Sequence, residues 1–413
     1  MPPDDVESGL VRAPGAALGG RCNDAFAGVR AEFERNFAER GELGAAVAVY
    51  LDDVLVVDLW GGYADGGWTR LWGAHDRVTV WSCTKGAVAA CIHLLASARE
   101  IDIEQAVAHY WPAFRTKGKS TITIRSVLNH QAGVPGLSAA VGMEDMLSAR
   151  AMAERVAWEP VMWEPGTRHG YHAMTYGWIL DEVVVRVSGQ TVGRFFGDRF
   201  ADRWDLDFQI GVPPSAQFDI AETVLSDPGD DAGPFAAALG RGAPVQRAVM
   251  RSFGPLRNAA VCNDPATRAA EIPAANGVAS GKGLAGFYRV LASPARALDQ
   301  GFDRQALALM SEVQSAGAVD ASLLVATRYS CGFQKSALGP PGHRGLVLSA
   351  AALGHGGLGG SLGFADPPAG LAFGYAMNRH AAGRDELGRV QPLVDAVYEG
   401  AGFRHRTPQL WMP

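Results

Sequence analysis

The sequence predicts an α/β protein of the α+β type: an antiparallel sheet flanked by helices, joined to a mostly helical second region. Two β-prone runs, 45–51 and 54–60, flank Asp52-Asp53, a short hairpin signal closed by Gly61-Gly62. Strand signals return only near the other end, at 328–335, 353–355 and 370–377. Between them the chain is mainly helical by pattern, so the sheet draws on both ends of the chain.

With 413 residues, 48% of them hydrophobic, the chain can bury a large core. In order, residues 1–20 read as an N-terminal tail. Residues 21–86 and 325–405 read as a discontinuous sheet domain, and 87–324 as a mainly helical domain. Apolar spacing at Val88, Cys91, Ile92 and Leu95 marks a buried helix after Ser82. Further helices are expected at 144–158, at 174–188 with Gly189 as its stop, at 284–291, at 304–313 and near 393–398. Residues 211–277, rich in Pro, Gly, Ala and Asp, read as pocket-forming loops with short helices.

The net charge of -6 and the lack of a basic run exclude a nucleic-acid footprint. The longest apolar stretches fall far short of a bilayer span, so no membrane role is expected. The start, Met1-Pro2-Pro3-Asp4-Asp5, has neither the basic region nor the apolar core of a secretory signal, and a cytoplasmic location is expected. Cys22, Cys83, Cys91, Cys262 and Cys331 are odd in number and scattered, which argues for reduced thiols and against a zinc site. His169 and His172 lack a companion ligand set. No metal or other cofactor is implied.

The stretch Ser82-Cys83-Thr84-Lys85 sets a hydroxyl and an amine one helical turn apart, on one face at the start of that apolar helix. A cation in a first turn opposes the helix dipole, so burying Lys85 there needs a reason. Depressing its pKa to give a usable amine is one. The alternative is that Ser82 caps the helix and Lys85 is solvated. Cys83 could replace Ser82 as nucleophile, but no His or Asn motif accompanies it. Tyr171, in a turn-rich lead into the 174–188 helix, is the candidate second base if Lys85 supplies the nearby charge; the alternative is a pocket-lining or core aromatic. The run Gly354-His355-Gly356-Gly357-Leu358-Gly359-Gly360 exposes backbone N–H groups suited to an oxyanion, or else is a strand edge and tight turn with no ligand. Gly359-Gly360-Ser361-Leu362-Gly363 matches G-x-S-x-G, but a turn and another strand follow it where an elbow needs a helix, so Ser361 reads as a hairpin residue. Asn276 is either a pocket residue or a turn former before Gly277.

Ser82-x-x-Lys85, Tyr171-His172-Ala173 and His355-Gly356-Gly357 resemble, in order and spacing, the motifs of the serine β-lactamase and penicillin-binding superfamily. The chain is most similar to its family VIII carboxylesterases, relatives of class C β-lactamases. The likeness extends through Leu128-Asn129-His130-Gln131-Ala132-Gly133, Pro165-Gly166-Thr167 and Gly363-Phe364-Ala365-Asp366-Pro367. It implies a β-lactamase-like fold and a Ser82 acyl-enzyme, with Lys85 and Tyr171 as the base pair. The N–H groups of Ser82 and Leu358 would form the oxyanion hole, and His355, Gly356 and Gly357 would line the substrate site. The expected substrate is a small, short-acyl ester; the alternatives are acyl transfer, amide or D-peptide hydrolysis, or a binding module without turnover. Class C enzymes carry Asn two residues after the tyrosine and a Lys-Thr-Gly third motif. Here those positions hold Ala173 and His355-Gly356-Gly357, which removes an amide donor and a cation for lactam drugs and leaves uncharged esters unaffected.

Overall fold

The computed structural model describes residues 17–225, 238, 241–336, 346–380, 387–407 and 410–412. Its main sheet is antiparallel and six-stranded, in the order β1-β3-β2-β11-β10-β9. These strands are β1 (Leu18–Cys22), β2 (Gly44–Leu51), β3 (Val54–Gly62), β9 (Leu353–Gly356), β10 (Leu362–Asp366) and β11 (Leu371–Met377). Asp52 and Asp53 both have positive φ, 46° and 70°, as a tight hairpin turn requires. The two ends of the chain meet where β2 pairs with β11, from Ala45↔Met377 to Leu51↔Leu371.

Alternation sends one side chain set to each face. On one face Val47, Val49, Leu59, Phe373 and Tyr375 pack against the helices Ala27–Glu39 and Val390–Gly400. Across the other lies the helix Gly281–Ala292, over β2, β10 and β11. Its approach needs glycine: a Cβ on Gly374 would sit 2.3 Å from the Gly281 carbonyl oxygen. Asp53 ties the hairpin to this layer through Arg289 at 3.1 Å and Arg296 at 2.6 Å.

The second region surrounds the buried helix Thr84–Ser97, packed by Thr175–Ser188 and the Val192–Phe196 turn, with Ala149–Trp158 against Thr175–Ser188. Short strands β4 (Val78–Thr79), β6 (Gly277–Ala279) and β5 (Phe208–Ile210) pair in that order beneath it, and β7 (Ser315–Gly317) pairs with β8 (Thr327–Tyr329).

Several boundaries differ from the sequence reading. Residues 18–20 belong to β1 rather than to a tail; Gly20, at φ +103°, passes so close to Asp58 that a Cβ would meet its carbonyl oxygen at 2.0 Å. Residues 1–16 lie outside the described residues. The helix Gly281–Ala292 belongs to the sheet layer and not to the helical region. The 328–335 run is no continuous strand, because Gly332 at φ +96° turns it, leaving Gln334 to bridge Gly354. The 144–158 stretch forms two helices, Met143–Met146 and Ala149–Trp158, the second capped by the Ser148 side chain. Within 211–277 the described residues include the helix Pro244–Phe253 and shorter turns; 226–237 and 239–240 are outside them.

Candidate active site

Ser82 sits in a single 3-10 turn, Trp81–Cys83, that runs into the helix Thr84–Ser97. Trp81 adopts φ +48°, a left-handed conformation that costs about 1–2 kcal/mol in a non-glycine residue. Packing holds it there: its indole is 3% exposed and stands edge-on to His380 at 5.3 Å. The turn is pinned below by the Thr84 hydroxyl, which accepts the Gly277 N–H at 2.9 Å, and beside by Cys83, whose thiol donates to the His355 carbonyl at 3.2 Å. β6 and β9 thus fix the Ser82 turn.

Ser82 does not cap the helix; the N-cap position is Cys83, with no side-chain cap. Lys85 is fully buried, and its Nζ donates to Ser82 Oγ and to the Ala274 carbonyl, both at 2.9 Å. It lies 4.9 Å from the centre of the Tyr171 ring and 6.0 Å from that of Tyr176. Among the described residues no carboxylate is in ion-pair range of it. Burial therefore holds the amine well below the usual lysine range, with a smaller opposing effect from Cys83.

Tyr171 is 8% exposed, and its ring stacks on Tyr329 at 6.2 Å and 12°. His130 meets the same ring at 4.8 Å, and His355 at 6.1 Å. The tyrosine reaches Lys85 from an irregular segment that precedes the helix Thr175–Ser188.

Between β9 and β10 the glycine run folds into a turn, with Gly357 N–H donating to the Ser361 carbonyl at 2.7 Å. It lies against the Ser82 turn so closely that a Cβ on Gly357 would meet the Val80 carbonyl oxygen at 2.3 Å. Neither the Ser82 N–H nor the Leu358 N–H has an acceptor among the described residues, and Leu358 is 46% exposed. The geometry brings together Ser82, Lys85, Tyr171 and the Gly356–Leu358 turn.

Two expected binding residues have other engagements. Asn276 closes its own turn: its oxygen accepts from Ile272 N–H at 2.8 Å, and its amide donates to Thr267 and Ala270 carbonyls at 2.9 and 2.6 Å. No amide proton is left for a ligand, so the turn-forming reading holds. His355 is 1% exposed, with Nδ1 against the Gly356 carbonyl at 2.7 Å and Nε2 unpartnered. Burial, the largest cause, pushes it down to about 3 despite the Gly356 bond, so the imidazole is neutral. It forms part of the wall behind Tyr171 and offers no positive charge. Cys83 is buried with its thiol pushed up to about 12, which removes it as a nucleophile. Ser361 is buried in the hairpin and followed by β10, with no helix to make an elbow. Both His172 nitrogens are occupied, and no group of three metal-ligating side chains occurs among the described residues. Among them, too, no helix is long and apolar enough to cross a membrane.

The sequence reading missed Ala274, whose carbonyl holds the amine, and Asp320, whose carboxylate holds the Tyr171 backbone. Neither lies in a recognisable motif.

Residues 29–396 match the family described as Beta-lactamase. The chain belongs to the beta-lactamase family. Its fold is the beta-lactamase/penicillin-binding-protein fold, and the protein is a hydrolase of that fold. Within the beta-lactamase family it is 36% identical to Esterase/beta-lactamase LipL of Mycobacterium tuberculosis, over 94% of this chain and 87% of that protein. Among solved structures it is similar to a family VIII carboxylesterase, with 32% identity and a TM-score of 0.79 over 93% of this chain and 100% of the other. It is also similar to a penicillin-binding protein homologue from Caulobacter crescentus, at 30% identity with the same TM-score and coverage.

Proposed function

We propose that this protein is a cytoplasmic carboxylesterase that hydrolyses small, short-acyl esters through an acyl-enzyme on Ser82. The observation that carries the reading is the Lys85 amine, buried without a carboxylate and 2.9 Å from Ser82 Oγ. A desolvated amine favours its neutral form, whose lone pair can take the hydroxyl proton along that contact. The freed oxygen bonds to the ester carbonyl carbon, and the carbonyl π electrons move to its oxygen. The N–H groups of Ser82 and Leu358 receive that oxyanion. Collapse breaks the bond to the alkoxide, which leaves as the alcohol with the proton returned by the Lys85/Tyr171 pair. Water, deprotonated by the same pair, then releases the carboxylic acid and restores Ser82.

Esters fit this site better than lactam drugs. A neutral, enclosed His355 gives a drug carboxylate no cation, and Ala173 offers no side-chain amide. Similarity to a LipL esterase and to a family VIII carboxylesterase supports the same choice. The five cysteines, all free in the structure, suit a reducing compartment.

The test is hydrolysis of p-nitrophenyl acetate and butyrate beside a chromogenic cephalosporin, with intact-mass detection of the acyl-enzyme. Ester turnover that vanishes in Ser82→Ala and survives in Ser361→Ala is expected, with little or no cephalosporin turnover. Loss in Ser361→Ala alone would overturn the nucleophile. A persistent adduct released only by an added alcohol or amine would make the protein an acyltransferase.

A further inference from the structure

The segment that presents Tyr171 has no helix or strand of its own, yet every residue from 169 to 172 is tied to a distant part of the chain. The His169 carbonyl accepts from Ala321 N–H at 3.1 Å, and Gly170 N–H donates to the His130 carbonyl at 3.0 Å. His172 N–H donates to His130 Nδ1 at 3.1 Å, and His172 Nε2 accepts from Val134 N–H at 3.0 Å. The Tyr171 N–H itself is received by both oxygens of Asp320, at 3.0 and 3.1 Å, across 149 residues of sequence.

Asp320 is fully buried, and among the described residues no lysine or arginine pairs with it. Such a carboxylate is costly unless donors surround it. Here Ser322 and Leu323 N–H groups donate at 2.8 and 2.9 Å, the Thr327 hydroxyl at 3.0 Å and the Tyr329 hydroxyl at 3.4 Å. His169 Nε2 stands 2.8 Å from Thr327 Oγ1 and 3.8 Å from the carboxylate. The donors fall into two sets: those that shape the 320–327 loop, and those that belong to Tyr171 or to the Tyr329 ring stacked upon it. One buried group therefore governs both the backbone origin of the Tyr171 side chain and the face against which its ring lies.

We propose that Asp320 is a positioning residue, which fixes Tyr171 against Lys85 for proton transfer with Ser82. The inference rests on the assignment of Tyr171 made above. Misplacement of a reacting group by about 1 Å costs on the order of a hundredfold in rate, so loss of this anchor should fall on turnover rather than on ester binding.

The test measures p-nitrophenyl acetate hydrolysis by Asp320→Ala, Asp320→Asn and Tyr171→Phe and by the double variant Asp320→Ala/Tyr171→Phe. Asp320→Ala is expected to lower kcat about a hundredfold with KM within about threefold. Asp320→Asn keeps an oxygen that can accept the Tyr171 N–H and is expected to recover turnover to within about tenfold of wild type. In the Tyr171→Phe background, Asp320→Ala should add less than about twofold, since a residue acting through Tyr171 has nothing further to disturb. Should Asp320→Ala not fold, replacing the Tyr171 amide by an ester removes the N–H donor, weakens the Gly170 carbonyl that meets His172 Nδ1, and should lower kcat in the same way. Wild-type kcat in Asp320→Ala or in the ester, or an equal loss with and without the Tyr171 hydroxyl, overturns the proposal. An active Tyr171→Phe enzyme would instead sink the assignment of Tyr171 and this proposal with it. An inactive Tyr171→Phe beside an unaffected Asp320→Ala removes the Asp320 role alone.

Discussion

Acidification from pH 7.5 to 5 should strip the fold of a large part of its stability, through histidines that cannot take a proton while buried. His93 and His172 are pushed down to about 4, and His355 and His380 to about 3, by burial before any other cause. In the unfolded chain each binds a proton near its ordinary value of about 6.5. A depressed folded value means stability that is whole above about 6.5 and is lost as the pH falls from there toward 3–4. At pH 5 the loss is about 2 kcal/mol for each, or about 8 kcal/mol for the four. Asp181 works the other way: burial raises it to about 7, so the folded state gains its proton first, returning about 2–3 kcal/mol over the same interval. Glu42 and Glu271, raised by burial, add to that return, while His130 and His169, lowered by burial, add to the loss. The four histidines and Asp181 alone leave a net loss of about 5 kcal/mol, comparable with the whole stability of many domains. Urea unfolding at the two pH values, followed by tryptophan fluorescence, measures it. His380→Phe, which keeps the aromatic contact with Trp81, should recover about 2 kcal/mol of the difference. A stability that changes by less than about 1 kcal/mol between the two pH values would refute the argument that these rings are kept neutral.

Lys85→Ala and Tyr171→Phe should each lower kcat/KM by about 10²–10⁴-fold, and the double variant should lose scarcely more than the worse single one, because both serve one proton path. Additive losses would separate them. Native protein treated with a thiol reagent at pH 8 should take a single label, on part-exposed Cys22, because Cys83, Cys91, Cys262 and Cys331 are buried with raised thiol values; the mass of the labelled chain reads this directly. Gly374→Ala drives a methyl group to 2.3 Å from the Gly281 carbonyl oxygen, with backbone on both sides. It should cost about 3 kcal/mol in thermal unfolding, whereas Gly142→Ala, with nothing within 4 Å, should leave the midpoint nearly unchanged.

What was legible in the sequence was local. The hairpin around Asp52-Asp53 and the apolar helix behind Lys85 declare themselves within a dozen residues, and the structure places them at Gly44–Gly62 and Thr84–Ser97. Helical spacing put Ser82 and Lys85 on one face, but it took the Tyr171-His172-Ala173 and His355-Gly356-Gly357 motifs beside it to mark them as a site. What was hidden depends on contacts between distant segments. Gly19 and Gly20 carry no strand propensity, and what explains glycine there lies on the neighbouring strand: the Trp60 indole against Gly19 and the Asp58 carbonyl against Gly20. The helix Gly281–Ala292 reads as any amphipathic helix until Gly374 and Gly363 let it settle on the sheet. Asp320 and the Ala274 carbonyl act across 149 and 189 residues, and no spacing rule reaches so far. Asn276 was open to two readings because its neighbours, and not its type, decide how its amide is used.

Lys85 owes its low basicity to dryness alone, since no neighbouring cation is needed to explain it. On the proposed mechanism, the working state of the site is then a hydration state of the protein. Deacylation admits the one water that attacks, whereas bulk solvent filling the space around Nζ would favour the ammonium ion and, on the proposed reading, deprive Ser82 of its base without disturbing any strand or helix. Enzymatic activity becomes a gauge of how tightly the interior excludes solvent, and it should fade in mild denaturant or under pressure while the fluorescence of the folded chain is still intact.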